Sequence, residues 1–238
     1  MEFTALFLAV TVVMVAAWWG TRTLALALFA DAPRLHHDLS APRQRRAEAV
    51  LLTAAMTRSL AQTLNALGLC AIALVLAVAF AAQLLLDELP CPLCLLQRIQ
   101  FAMLAAGPIL NLRFGPRPSH YAVSLFAAIA GAAFATRQIL LHIMPGDPGY
   151  GSALLGYHYY SWAFIAFAVA ILALAAMLLF DEQFTDDGKP QPAGAFARAA
   201  VWLVIALTAL NVVSTLLECG FGACADNPVA YELLKRAP

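Results

Sequence analysis

Two cysteine pairs carry the chemistry that this chain's residue types can support: Cys91-Pro92-Leu93-Cys94, and Cys219 with Cys224 near the end of the sequence. The first lies within Pro90-Cys91-Pro92-Leu93-Cys94-Leu95-Leu96-Gln97-Arg98, so an arginine follows the second cysteine by four residues. Proline between the cysteines suits the first turn of a helix, where its missing N–H is no loss. Cys91 is therefore expected near an N-cap and Cys94 in the first turn. Unpaired backbone N–H groups there, with Arg98 further along the same face, favour Cys94 as a thiolate. Three readings of the pair stand side by side: a redox centre, half of a zinc tetrathiolate completed by Cys219 and Cys224, or a structural disulfide between the pairs.

The elements that must position these residues are membrane spans. Of 238 residues, 63% are hydrophobic and 12% charged, and the formal net charge is zero. That composition excludes an ordinary water-soluble domain, and the lack of a basic stripe gives no footing for nucleic acid. Residues 3 to 19 form an apolar run that we read as a span and not a signal peptide, because Glu2 stands where a basic segment belongs and no small-residue cleavage site follows. Further spans are expected within residues 59 to 86, from the C-x-x-C to Leu112, over 121 to 144, over 161 to 180 and over about 196 to 217. The fold class is thus an all-α integral membrane protein of about six spans, divided into an N-terminal span with a basic loop (1–58), a four-helix core (59–180), and a linker, last span and cysteine tail (181–238).

Six crossings put residues 87 to 97, the 145-to-160 loop and the cysteine tail on one side of the membrane. The other side carries Arg34, Arg43, Arg45, Arg46, Arg113, Arg117, Lys189 and Arg198. The positive-inside rule then places both cysteine pairs outside, which in a bacterium is the periplasm, where disulfides persist. An oxidising side and a membrane edge disfavour four clustered thiolates. Among the remaining polar residues, Gln138 and His142 share a helix face, and Arg137 reads as a headgroup anchor. Tyr157, His158, Tyr159, Tyr160 and Trp162 resemble an interfacial aromatic belt, and Cys70 reads as a small buried hydrophobe.

The stretch from Pro90 to Arg98 resembles the P-C-x-x-C-x-x-x-R signature of the disulfide-bond formation protein B (DsbB) family, quinone-dependent oxidants of the periplasmic thiol oxidase DsbA. The resemblance covers the spans from about residue 59 to 180, including a histidine at the outer end of the third core span, where His142 stands. It implies that Cys94 engages a ubiquinone or menaquinone ring, that Cys91 closes a disulfide with Cys94, and that Arg98 and His142 line the quinone site. It also implies a bacterial inner-membrane location, with the membrane quinone pool and a DsbA-like thioredoxin-fold protein as partners and no resident metal. The sequence departs from the family in two places: the 145-to-160 loop lacks the second cysteine pair, and one span is added at each end. Cys219 and Cys224 are the expected substitute for the loop pair. A vitamin K epoxide reductase-like enzyme and a membrane metal-binding protein are the alternative readings.

Overall fold

In the computed structural model, residues 58–184 and 194–234 are described. The expected first span at residues 3 to 19 and its basic loop lie outside them. Residues 58–184, 194–220 and 224–234 belong to one compact unit. Its helices are α1 (Arg58–Leu85), α2 (Pro92–Leu104), α3 (Ala106–Phe114), α4 (Pro118–Leu141), α5 (Tyr159–Leu178) and α6 (Ala195–Cys219). With α2 and α3 forming one crossing from Pro92 to Phe114, the described residues hold five helical segments long and apolar enough to cross a membrane. The chain is an all-α membrane protein, and the limits of these five described spans fall within a few residues of those read from the sequence.

The break between α2 and α3 follows from Pro108, which lacks an N–H and whose ring would clash with the carbonyl of residue 104 in a continuous helix. Pro118 opens α4 at a position where no amide bond is lost. Because hydrocarbon offers no solvent to squeeze out between helices, association rests on close packing of small residues. Ala61, Ala66, Ala73, Ala127, Ala128 and Ala135 are buried accordingly. Gly131 admits the Phe167 ring, which a Cβ would strike, and Phe167 stacks on Phe101 at 4.1 Å. The outward faces carry Leu74, Phe126, Leu172 and Trp202, an apolar surface suited to lipid.

Helix α4 packs against α2, α3 and α5, while α1 packs against α3 and α6. Away from the cysteines, Asn65, Asn111, Tyr121 and Gln183 are buried and bonded to one another across α1, α3, α4 and a 3-10 turn at Asp181–Phe184, which fixes that end of the bundle. At the cysteine end, the α4–α5 connection holds a two-residue antiparallel ribbon, β1 (Ala153–Leu154) and β2 (Tyr157–His158). Its two central residues, Leu155 and Gly156, both have positive φ, the backbone that a two-residue hairpin requires.

Candidate active site

Cys91 is the N-cap of α2, with extended backbone (φ −65°, ψ 163°), and Pro92 occupies the first helical position. The Cys94 backbone N–H donates to Cys91 Sγ at 3.3 Å, so a thiol fills the role usually given to a serine or aspartate oxygen. Both cysteines are unbonded thiols here. They differ in access: Cys91 is buried, whereas Cys94 is half-buried and lines a cavity of about 340 Å³ between α1, α2 and α5. The Cys94 side chain facing it, together with burial, holds the Cys91 thiol far above its usual pKa.

Gln138, 1% exposed, faces both sulfurs. Its Nε2 donates to Cys91 Sγ at 3.3 Å and to Cys94 Sγ at 3.4 Å, while its Oε1 accepts from Gln97 Nε2 at 2.7 Å. The Gln97 bond orients the amide so that its NH₂ group points at sulfur. This arrangement supplies donors to a sulfur that gains negative charge, where N–H bonds are strongest.

Arg98 stands one turn beyond Cys94, on the same cavity wall. Nη1 donates to Gln83 Oε1 at 2.7 Å, Nη2 donates to the Ala79 carbonyl at 3.0 Å, and the guanidinium lies 5.6 Å from the Phe80 ring centroid. Two of its five N–H groups are engaged by these bonds, which leaves donors for a ligand oxygen. Phe101, Tyr159, Tyr160 and Trp162 add aromatic surface to the cavity. Three members of the aromatic group read as an interfacial belt, Tyr159, Tyr160 and Trp162, therefore also supply cavity wall. An apolar slot flanked by aromatic rings, with a thiol and a guanidinium at one end, fits a planar ring bearing carbonyl acceptors.

His142 caps the C-terminus of α4 and does not line the cavity. Its Nδ1 lies 3.0 Å from Asp147 Oδ1, and its ring stacks on Tyr160, which does line it. The Gly149 backbone N–H, and then His142, hold the exposed Asp147 carboxyl below the usual range. Tyr150 donates to the Leu89 carbonyl at 2.6 Å and so ties the α4–α5 loop over the segment leading into Cys91. Burial pushes its phenol up.

Cys219 and Cys224 form a disulfide, with Sγ–Sγ 2.02 Å. Cys219 ends α6, and Gly220 follows with φ 64° and ψ −142°, a positive-φ backbone open essentially to glycine alone. Among the described residues, no hydrogen bond or disulfide joins this pair to Cys91 and Cys94, and no group of three or more His, Cys, Asp or Glu is placed to hold a metal. Cys70 is half-buried against the core, and Arg137 is exposed.

Sequence reading passed over Gln83, Tyr150 and Glu218, and noted Gln138 only as a neighbour of His142. The usable signal was an uncharged amide inside an apolar span, since a polar group in hydrocarbon is kept only where it finds partners.

Residues 61–152 match the family described as disulfide bond formation protein DsbB. The chain is 41% identical over 86 residues to a disulfide bond formation protein B of Xanthomonas axonopodis pv. citri, covering 34% of this chain and 50% of the relative. It is 41% identical over 91 residues to disulfide bond formation protein B 2 of Burkholderia lata, covering 38% and 54%. A disulfide bond formation protein B of Hahella chejuensis is 35% identical over 92 residues, covering 36% and 54%. The chain thus spans about half the length of the curated relatives it matches. No solved structure matches significantly.

Proposed function

We propose, from the match of residues 61–152 to the DsbB family, that the protein is a quinone-dependent thiol oxidase that makes disulfides and passes the electrons into the membrane. The observation that carries this reading is the placement of Cys94 and Arg98 on one wall of an apolar, aromatic cavity, with Gln138 donating to both sulfurs. When bound there, a ubiquinone or menaquinone supplies the two-electron acceptor.

The chain's own residues divide the work. Cys94, the sulfur on the cavity wall, faces the acceptor, and Cys91 closes the disulfide behind it. Gln138 stabilises charge on sulfur through its two N–H bonds. The free donors of Arg98 bind an acceptor oxygen and favour its reduced, more negative form. Overall, a dithiol and a quinone become a disulfide and a quinol, so two electrons and two protons leave the thiols.

The route outward uses the tail. The thiols of a periplasmic, DsbA-like thioredoxin-fold protein reduce Cys219–Cys224 by exchange, and the resulting tail thiols reduce Cys91–Cys94. In this reading residues 59–180 are the catalytic core, 181–238 carry the shuttle pair, and both pairs face the periplasm from the inner membrane. His142 braces the Tyr160 wall of the site.

The test uses anaerobic, fully reduced protein mixed with one equivalent of a short-chain ubiquinone, with disulfides located by mass spectrometry. One quinol per protein, together with a Cys91–Cys94 or Cys219–Cys224 bond, is expected. Quinone left unreduced in the presence of free Cys91 and Cys94 overturns the proposal.

A further inference from the structure

The last helix and its tail lie outside the family match, yet they reach the centre of the site. Gln83, 2% exposed, accepts from Arg98 Nη1 with its Oε1 and donates from Nε2 to Ser214 Oγ at 2.7 Å and to Tyr231 Oη at 3.0 Å. Ser214 lies on α6, and Tyr231 lies beyond the Cys219–Cys224 disulfide, so both arms of the C-terminal turn converge on one amide. Glu218, one turn after Ser214, is 2% exposed with neither carboxyl oxygen hydrogen-bonded, and it interacts electrostatically with Arg98. This face of α6 is therefore directed at the guanidinium.

An amide has two senses, and only one serves Arg98. A guanidinium has donors and no acceptor, so Gln83 must present oxygen to it and NH₂ to the other side. Without hydroxyl acceptors there, the buried NH₂ group would be stranded and the amide would have no reason to keep that sense. The hydroxyls of Ser214 and Tyr231 are those acceptors.

We propose that Gln83 is a positioning residue for Arg98, held in its working orientation by Ser214 and Tyr231 of the C-terminal segment. The quinone site is thereby completed by a part of the chain outside the family match at residues 61–152. The proposal rests on the reading of Arg98 as the quinone-binding cation, but its test separates the two.

Full-length protein in lipid nanodiscs would be compared as wild type, Tyr231→Phe, and the isosteric pair Ser214→Val and Ser214→Thr. Two quantities are read: the rate at which phenylglyoxal modifies Arg98, followed by mass spectrometry, and the KM for a short-chain ubiquinone with dithiothreitol as electron donor. Loss of either hydroxyl is expected to raise Arg98 labelling and the quinone KM about fivefold each, the equivalent of one neutral hydrogen bond, with the dithiothreitol KM unchanged. Ser214→Thr, which keeps its hydroxyl, is expected to behave as wild type. Labelling at the wild-type rate in both Ser214→Val and Tyr231→Phe overturns the proposal. If wild type reduces no quinone, the functional reading above falls, while the labelling comparison still decides whether Arg98 is held through Gln83.

Discussion

Replacing Gln138 by leucine removes every hydrogen bond that reaches the paired sulfurs from outside α2 in the described structure, with little change in volume. Two distinct costs follow. Gln97, 5% exposed, loses the acceptor for its Nε2, and a stranded buried amide costs about 1–3 kcal/mol of stability. Cys94 loses an N–H donor at 3.4 Å. Where the sulfur carries negative charge during reaction, a bond of that kind contributes about 1.5–3 kcal/mol, or about ten- to a hundredfold in rate. Gln138→Glu keeps the shape, and when ionised it sets an acceptor-only carboxylate against sulfur, so its loss should be the larger. The assay is the initial rate of ubiquinone reduction at saturating dithiothreitol, paired with thermal unfolding of each variant. A folded Gln138→Leu protein that reduces quinone within about twofold of wild type would refute the idea that amide donors stabilise the reacting sulfur.

Other outcomes follow from the same geometry. The Cys91 pKa is raised, so its thiol keeps its proton above 9.0, the ordinary thiol value; the stability this contributes is fully present below 9.0 and falls as pH rises beyond it, where the unfolded chain ionises and the folded thiol does not. Iodoacetamide applied to reduced protein at pH 9.0 or below should therefore modify Cys94 first, and modification of Cys91 first would contradict the assignment. Asp147 is depressed instead, so its tie to Gly149 is present above 3.8 and lost only as pH falls through the lower folded value. Gly149 amide exchange in wild type and Asp147→Asn, compared across the region below pH 3.8, reads this directly, and equal exchange in the two proteins above pH 3.8 counts against it. Gly131→Val sets methyl groups against the Phe167 ring and should cost about 1–3 kcal/mol, read as a lower unfolding temperature. Cys219→Ser with Cys224→Ser should abolish oxidation of a protein dithiol while leaving quinone reduction by dithiothreitol in place, which separates the shuttle from the centre.

Much of the fold is legible in the sequence because hydrocarbon imposes one rule: each crossing needs about 20 apolar residues, and the polar breaks at Asp87, Gly115, Asp147 and Asp181 punctuate them. The start of α2 was equally readable, since Pro92 can sit inside a first helical turn and nowhere later. What could not be read was which polar side chains meet. Gln83 and Gln138 lie 55 positions apart, on α1 and α4, and each touches the C-x-x-C helix only through tertiary packing. Family resemblance, not spacing, set His142 at the expected quinone site. The C-cap geometry turns it instead toward Asp147 and Tyr160, a local ending that hydrophobic periodicity does not encode.

Electron transfer through Cys94 to a quinone is the central step of the proposed function. The most direct measurement is steady-state ubiquinone reduction by purified protein supplied with a reduced thioredoxin-fold dithiol protein, with Cys94→Ser as the comparison. Loss of quinone absorbance matched mole for mole by new disulfide in the dithiol protein, and absent in Cys94→Ser, is the predicted result. Disulfide formation that proceeds without quinone reduction, or that survives Cys94→Ser, contradicts it.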